Sequence, residues 1–277
     1  MKDGFLKAAA LSPALRVADC TYNVRQITDA LHKAAARGVK LAVFPEFCLT
    51  GYTCGDLFLQ RTLQTGALDA LSTLLDETKA LDVVTLVGLP LLVHGKLYNC
   101  GAVIHRGEIL GLVPKVYLPN YGEFYEQRWF ASGGERELGM TLCGQQVSLE
   151  LKGTFACENM PNLVIGVELC EDLWVPQPPS GALALQGANL IANLSASDEY
   201  VSKAAYRRDL VAGQSARCVA GYVYAGAGVH ESTTDLVFSG ATLVAENGGI
   251  LAEGERFARE SVLTVADVLS LIHISEP

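Results

Sequence analysis

Glu46, Lys115 and Cys170 are the residues of this chain whose types could do chemistry together. Each comes within two residues of the end of a short apolar run that has the character of a buried strand. Ligands of open α/β sheets bind beyond the carboxyl ends of the strands. The three side chains are therefore expected to meet at one edge of a sheet.

These residue types fit one reaction class. A cysteine thiol becomes a nucleophile when it loses its proton, a carboxylate can accept that proton, and a lysine ammonium can stabilise an oxyanion. The backbone N–H of Glu171 is a candidate second donor to the oxyanion. The combination predicts acyl transfer from an amide or a nitrile through a thioester, and it requires no histidine.

Each of the three residues also has an ordinary structural interpretation. Most cysteines in apolar runs are core residues. Glu46 and Lys115 could form a simple salt bridge or lie separately at the surface. The spacing alone leaves both interpretations open, so the choice depends on the sequence around the three residues.

Helical and strand-like segments alternate along the chain and must position these side chains. The spacing of apolar residues predicts helices over 21–37, 59–80, 180–187 and 202–218. Apolar runs predict strands at 5–10, 39–44, 83–89, 97–104, 108–116, 163–169, 189–194, 221–226, 236–245, 250–253 and 261–265. Such alternation predicts an α/β fold, and the hairpin-like strand pairs predict mixed sheets. We find no linker and expect one domain over residues 1–268.

Composition and charge exclude several classes of protein. Half of the residues are hydrophobic, which excludes intrinsic disorder. The net charge of −9 argues against nucleic-acid binding, and no apolar stretch reaches the roughly 18 residues of a membrane span. The five histidines and eight cysteines form no zinc pattern. Free cysteines in apolar runs favour a reducing, cytoplasmic location.

The segments around the three residues resemble the nitrilase superfamily of carbon-nitrogen hydrolases, whose members carry a Glu–Lys–Cys triad. Within it they are most similar to the glutaminase domains of bacterial glutamine-dependent NAD synthetases. The matching segments are PEFCLTGYTCGDLF (45–58), PKVYLPNYGEFYEQRWF (114–130), GVELCEDLWVP (166–176), NLSAS (193–197) and ESTTDLVFSG with ENG (within 231–248). The STTDLVF segment and the residues around CEDLW favour this branch over free-standing nitrilases.

The resemblance implies a fold and an activity. The fold is a four-layer αββα sandwich with mixed sheets and two pseudo-symmetric halves. The activity is hydrolysis of glutamine to glutamate and ammonia, with no cofactor for this step. In the whole enzyme the ammonia would travel to a synthetase domain that uses ATP, Mg and deamido-NAD. The resemblance also implies a homo-oligomer.

The resemblance further implies roles for individual residues. Cys170 is the nucleophile, Glu46 the general base, Lys115 the oxyanion stabiliser and Glu123 a second glutamate that supports proton transfer. The implied substrate-binding residues are Tyr52 and Tyr121 in the pocket, Glu171 and Ser197 at the α-amino and α-carboxylate ends of glutamine, Trp174 as an aromatic wall, and Lys203 as a cation for the carboxylate. No metal is implied at this site.

Two features depart from the whole-enzyme pattern. The sole SGG sequence, Ser132 to Gly134, lacks the Asp-Ser of an ATP pyrophosphate loop. We therefore expect the ATP-using domain to be absent, and we expect residues 269–277 to be a non-native or truncated tail. Two alternatives stay open: a free-standing amidase for another small amide, and a non-catalytic module that kept the fold.

Overall fold

Two mixed β-sheets stack face to face, and helices cover their outer faces. The structure is a computed structural model that describes residues 4–133, 137–149, 153–160 and 162–269. In spatial order, the first sheet comprises β14 (Val262–Leu269), β1 (Phe5–Ser12), β2 (Leu41–Val43), β3 (Val84–Val93), β4 (Lys96–His105), β5 (Glu108–Pro114), β7 (Gln145–Leu149) and β6 (Leu138–Leu142). The second comprises β13 (Gly249–Glu253), β12 (Thr242–Glu246), β11 (Gly221–Gly226), β10 (Leu190–Ser195), β9 (Val164–Leu169) and β8 (Thr154–Ala156). These layers confirm the predicted αββα sandwich.

Each half of the chain repeats the same plan. The first half comprises β1 (Phe5–Ser12), α1 (Cys20–Ala36), β2 (Leu41–Val43), α2 (Arg61–Glu77), β3 (Val84–Val93), β4 (Lys96–His105) and β5 (Glu108–Pro114). The second half comprises β9 (Val164–Leu169), α3 (Pro179–Leu185), β10 (Leu190–Ser195), α4 (Lys203–Cys218), β11 (Gly221–Gly226), β12 (Thr242–Glu246) and β13 (Gly249–Glu253). In each half three parallel strands are followed by antiparallel ones. β14 (Val262–Leu269) returns to pair antiparallel with β1.

Three apolar layers hold the sandwich together. Between the sheets, side chains of β1 to β5 pack against those of β9 to β12, with Leu86 and Val167 among them. Outside the first sheet, α1 and α2 bury Leu31 and Leu71. Outside the second sheet, α3 and α4 bury Leu183 and other apolar side chains. Helix α1 begins at an Asp19 cap whose side chain accepts a hydrogen bond from the backbone N–H of Tyr22 at 3.0 Å.

The sequence-based boundaries differ from the structure in identifiable places. Strands β6 (Leu138–Leu142), β7 (Gln145–Leu149) and β8 (Thr154–Ala156) were not predicted. They are short and largely half-exposed, so their apolar alternation is weak. The strand predicted at 236–245 begins only at Thr242, because residues 236–241 form a loop. Leu269 belongs to β14, and the rest of the predicted tail lies outside the described residues.

Two further features of the described residues concern membrane-spanning helices and the cysteines. No described helix is long and apolar enough to cross a membrane. All eight cysteines lie in the described part of the chain, and all are free thiols. Six of them are buried, which agrees with their positions in apolar runs.

One glycine lets the loop after β2 approach the neighbouring strand. Gly88 of β3 lies directly under the turn of Glu46 and Phe47, and a Cβ at this position would lie 2.8 Å from the Glu46 carbonyl carbon and 2.9 Å from its Cα. Phe47 itself has a φ of 52°. Since both neighbours are backbone atoms, they cannot swing away from an added methyl group.

We predict that Gly88→Ala lowers the free energy of unfolding by about 1–3 kcal/mol, because the methyl group overpacks this contact. Gly101→Ala is the matched control, since Gly101 pairs with Gly88 across β3 and β4. A Cβ at Gly101 would meet only the ends of two leucine side chains, Leu194 at 3.4 Å and Leu169 at 3.8 Å. The expected effect of Gly101→Ala therefore ranges from neutral to about 1 kcal/mol stabilising. Urea denaturation measures both. Equal midpoints for the two variants would contradict the predicted close approach.

Candidate active site

The three predicted catalytic residues converge at the carboxyl ends of three strands. Glu46 lies in the turn after β2, Lys115 directly follows β5, and Cys170 directly follows β9. The backbone N–H of Lys115 donates to the Asn99 carbonyl at 2.8 Å, which continues the pairing of β4 and β5. Glu46 and Lys115 are fully buried, and Cys170 is 6% exposed. The first sheet therefore supplies the ion pair of Glu46 and Lys115, and the second sheet supplies the thiol.

A buried lysine bridges two carboxylates. Lys115 Nζ lies 2.7 Å from Glu46 Oε1 and 2.7 Å from Glu126 Oε1. Neutral donors complete the cluster: Asn99 Nδ2 donates to Glu46 Oε1 at 2.5 Å, and the Tyr52 hydroxyl donates to Glu126 Oε1 at 2.8 Å. We call these five residues the lysine cluster. An ammonium has three N–H donors, so two are used here and one remains for a substrate.

The charges of the cluster determine its protonation. Burial lowers the pKa of Lys115, but the carboxylates of Glu126 and Glu46 outweigh burial and raise it well above its usual value. Lys115 is therefore an ammonium at neutral pH. Burial also raises the pKa of Glu126, while Lys115 opposes that shift.

The nucleophile candidate rests as a thiol. Burial raises the pKa of Cys170 well above its usual value, the Glu46 carboxylate adds to the shift, and Lys115 opposes it. Cys170 has a φ of 41°, a conformation that costs energy for a residue with a side chain. This backbone turns the chain sharply from β9 into the 3-10 helix Cys170–Leu173. A base is therefore needed when the sulfur attacks.

The free oxygen of Glu46 fits the role of that base. Its Oε1 atom is occupied by Lys115 and Asn99. Its Oε2 atom is buried, and no described residue hydrogen-bonds to it. A buried carboxylate oxygen without a partner is costly. The arrangement leaves this atom available to take a proton from Cys170.

The position predicted for the second glutamate was wrong. Glu126, and not Glu123, contacts Lys115. Glu123 is exposed, and it lines a cavity of about 200 Å³ together with Tyr52. It lies in a turn in which the N–H of Phe124 donates to the Tyr121 carbonyl at 2.9 Å, and this turn directs Glu123 away from Lys115. A signal for Glu126 was present in the sequence. It stands four residues before the buried Phe130, which is the spacing of one helical face.

The predicted substrate-binding residues fall into two groups. Tyr52 is buried in the lysine cluster and contributes its hydroxyl to Glu126. The others lie farther out: the Tyr121 hydroxyl donates to Glu171 Oε1 at 2.8 Å, and Lys203 Nζ lies 5.1 Å from the Trp174 ring centroid. Tyr121, Glu171, Trp174, Ser197 and Lys203 are hereafter called the outer residues.

The outer residues carry balanced charge. Lys203 forms a buried ion pair with Asp198, so its charge already has a partner. Burial raises the pKa of Glu171, while its hydrogen bond from Tyr121 and the charges of Lys115 and Lys203 lower it. Glu171 therefore lies within electrostatic range of both lysines. The roles of these residues toward a substrate stay predictions.

The described part of the SGG segment hydrogen-bonds to the backbone of Lys115 and Val116. Ser132 Oγ donates to the Val116 carbonyl at 2.5 Å, and the Gly133 N–H donates to the Lys115 carbonyl at 2.6 Å. Gly134 lies outside the described residues. The described part of this segment fixes the backbone of Lys115.

Asn99 also hydrogen-bonds to Lys115 and Glu46, through its backbone carbonyl and its side-chain amide respectively. The sequence did not indicate it, because nothing distinguishes this residue within its apolar strand.

Known proteins resemble this chain over nearly its whole length. A glutamine-dependent NAD(+) synthetase of Mycobacterium bovis is 44% identical over 265 residues, which cover 96% of this chain and 39% of the relative. A protein of the same name from Thermotoga maritima is 33% identical over 258 residues, covering 93% of this chain and 41% of the relative. The chain thus spans about two fifths of the length of these relatives.

Solved structures agree on the fold. The crystal structure of a glutamine-dependent NAD(+) synthetase from Cytophaga hutchinsonii superimposes with a TM-score of 0.85 at 28% identity, covering 95% of this chain and 43% of that one. An amidase from Nesterenkonia sp. AN1 superimposes with a TM-score of 0.75 at 21% identity, covering 100% of this chain and 95% of that one. The family profile described as carbon-nitrogen hydrolase matches residues 7–272. By this match and by the relatives, the chain belongs to the carbon-nitrogen hydrolase family.

Proposed function

We propose that this chain hydrolyses glutamine to glutamate and ammonia through a thioester on Cys170. The observation that carries the proposal is the lysine cluster, in which the free Glu46 oxygen and the spare Lys115 donor stand beside a buried thiol. Relatives named glutamine-dependent NAD(+) synthetase support glutamine as the substrate. In this proposal the ammonia serves a synthetase part that uses ATP, Mg and deamido-NAD, while the hydrolytic step needs no cofactor.

The proposed reaction runs in two halves. Glu46 takes the proton of Cys170 as the sulfur attacks the side-chain amide carbon of glutamine, and Lys115 stabilises the oxyanion. The intermediate collapses, the C–N bond breaks, and Glu46 returns the proton to the leaving ammonia. Water then attacks the thioester, again with Glu46 as base, and glutamate leaves with the thiol restored. Glu126 takes no proton in this scheme and keeps Lys115 in place.

The outer residues support an amino-acid amide over a plain amide. Glu171 offers a carboxylate for an α-ammonium group, and the Asp198–Lys203 pair places a cation beside it for an α-carboxylate. A zwitterionic substrate would meet both signs of charge here, whereas an uncharged amide would interact with neither. A homo-oligomer and a cytoplasmic location stay predictions.

Labelling with a glutamine-mimicking diazoketone tests the proposal directly. The reagent needs an amino-acid pocket and an activated sulfur, and peptide mass spectrometry identifies the cysteine that it modifies. Burial raises the pKa of Cys20 to about 11 and that of Cys48 to about 12, and it raises the pKa of Cys170 as well. Selective labelling of Cys170 would therefore require the nearby base and an amino-acid pocket, and not merely an easily ionised thiol. Exclusive labelling of Cys170 that excess glutamine blocks would support the proposal. If simple amides block it and glutamine does not, the free-standing amidase is favoured. If a general thiol reagent reaches Cys170 but the diazoketone does not, the glutamine pocket is disproved.

We predict that Cys170→Ala abolishes glutamine hydrolysis while glutamine binding changes little, because the thiol forms a bond and does not hold the substrate. Ammonia release measures hydrolysis, and isothermal titration measures binding. Cys143→Ala is the matched control, since Cys143 is a half-buried free thiol on the loop between β6 and β7. Turnover that survives in Cys170→Ala would refute the nucleophile assignment.

We predict that Lys115→Met lowers the hydrolysis rate by about 10²–10³, because it removes the oxyanion donor. The same change leaves the Glu46 and Glu126 carboxylates buried without their cation, at a cost of about 3–5 kcal/mol in unfolding free energy. Lys79→Met is the control, since Lys79 pairs with Asp76 at the surface and such pairs contribute at most about 1 kcal/mol.

The stability loss in Lys115→Met has a predictable pH dependence. Burial already raises the pKa of Glu126 above its usual 4.5, and loss of the lysine raises it further. The folded state then binds more protons than the unfolded state above pH 4.5, so stability falls as pH rises. Urea denaturation should therefore show a larger deficit at pH 8 than at pH 5. A deficit that grows toward low pH would contradict this account of the cluster.

A further inference from the structure

We infer that Glu231 is a positioning residue that holds Tyr52, and through Tyr52 the lysine cluster, in its working geometry. Glu231 lies in the loop between β11 and β12 and is 5% exposed. It contacts neither Lys115 nor Cys170 in the hydrogen bonds of the structure, so any effect on catalysis must pass through another residue. The inference rests on the proposed hydrolysis for its kinetic consequences.

The Glu231 carboxylate clamps the backbone of a tight turn. Its Oε1 atom accepts the N–H of Tyr52 at 2.8 Å, and its Oε2 atom accepts the N–H of Thr53 at 3.0 Å and the Thr53 hydroxyl at 2.6 Å. The Ser232 N–H donates back to that hydroxyl at 2.8 Å. Hydrogen bonds to a charged acceptor are about twice as strong as neutral ones. Three of them fix two consecutive residues of the turn.

The turn is built closely around this carboxylate. Gly51 has a φ of +86°, and a Cβ there would lie 3.5 and 3.6 Å from the two Glu231 oxygens and 3.2 Å from Val17 Cα. The backbone at Gly51 can therefore adopt its conformation without a side chain in the way. Glu231 and the turn that it holds leave each other little room to shift.

Tyr52 carries the constraint into the lysine cluster. Its hydroxyl donates to Glu126 Oε1 at 2.8 Å, and the same oxygen accepts Lys115 Nζ at 2.7 Å. Its ring packs against Phe47, the neighbour of Glu46, with centroids 6.0 Å apart. If the Tyr52 backbone moves, the hydroxyl no longer shares Glu126 Oε1 with Lys115, and Lys115 can drift from its position toward the substrate.

The geometry separates this role from substrate binding. Glu231 hydrogen-bonds to the Tyr52 backbone, and the Tyr52 hydroxyl hydrogen-bonds to Glu126 in the lysine cluster. The outer residues, including Glu171 and Lys203, form their contacts on other loops. A change at Glu231 is therefore expected to lower kcat and to leave the glutamine KM nearly unchanged.

A double-mutant cycle between Glu231 and Tyr52 tests the inference. In the otherwise unchanged chain, Glu231→Gln should lower kcat about tenfold with KM within twofold. In the Tyr52→Phe background, which lacks the hydroxyl that contacts Glu126, the same change should alter kcat by less than twofold. A merely structural role predicts equal effects of Glu231→Gln in both backgrounds. Equal effects on kcat, or a rise in KM alone, would overturn the inference.

The matched control is Glu246→Gln. Like Glu231, Glu246 accepts a backbone N–H from a distant segment, that of Leu269 at 2.6 Å, although Glu246 itself is only half-buried. The Glu246→Gln variant should have a lower free energy of unfolding in urea denaturation and an unchanged kcat. Thr53→Val is the milder second variant, because it keeps both backbone bonds to Glu231 and removes only the Thr53 hydroxyl, with its bonds to Glu231 and to the Ser232 N–H. If Glu231→Gln does not fold, Thr53→Val must show the same non-additivity with Tyr52→Phe, and additivity would overturn the inference.

A second readout separates failure of this inference from failure of the proposed function. If the unchanged chain does not hydrolyse glutamine, the proposed function fails, and the cycle is run on the rate of Cys170 alkylation by iodoacetamide. That reaction requires activation of the thiol and no amino-acid pocket. Slower alkylation in Glu231→Gln that vanishes in the Tyr52→Phe background supports the inference. Equal alkylation rates in all variants overturn it.

Discussion

The site depends on one buried ammonium. Lys115 can be buried only because Glu46 and Glu126 neutralise it, and two carboxylates against one cation leave excess negative charge in a dry interior. Asn99 and Tyr52 offset that excess with neutral donors. The hydrogen-bonded atoms of the cluster thereby restrict one another's positions. The strand register of β4 and β5 places Asn99 beside Lys115, so this register also determines the geometry of the cluster.

The sandwich places Cys170, the proposed nucleophile, opposite this cluster. Glu46 and Lys115 come from the first sheet and Cys170 from the second, so the spacing of the sheets determines how near the thiol lies to the Glu46 carboxylate. Small side chains in the inter-sheet layer allow close packing of the two sheets. Among them are Ala8, Ala10, Ala192 and Ala225, all fully buried. The pseudo-symmetric halves therefore have different tasks: one builds the charge network and the other presents the sulfur.

Site residues at the ends of apolar runs could be predicted from the sequence, whereas a polar site residue inside such a run could not. Glu46, Lys115 and Cys170 each interrupt a buried strand pattern at its end, which is a local signal. Asn99 lies inside such a strand, so its role depends on which strands become neighbours. Glu126 was missed in favour of Glu123, because its four-residue spacing to Phe130 indicates an inward side only if this part of the loop turns like a helix, as it does at Glu126–Arg128.

Other parts of the fold escaped prediction for a related reason. β6 and β7 are short and mix exposed with buried positions, so their period-two pattern is weak. The pairing of Lys203 with Asp198 was also unforeseen, although the two residues are only five positions apart. A charge was visible in the sequence, but its partner depended on the conformation of residues 198–202. Local patterns thus predicted the layers and the strand ends, while tertiary contacts determined the polar partners.

The resting state of the thiol follows from the same charges that build the cluster. Glu46 and Glu126 raise the pKa of Cys170, and the opposing effect of Lys115 does not cancel burial. A preformed thiolate would add a third negative charge beside two carboxylates. In the proposed reaction the sulfur becomes nucleophilic as its proton moves to Glu46, which converts one carboxylate to a neutral acid and keeps the total charge constant. An electrophilic carbon that takes up the electrons of the sulfur, with an oxyanion beside the Lys115 donor, completes that exchange. Activation of the nucleophile is therefore tied to the presence of an acceptor in the site.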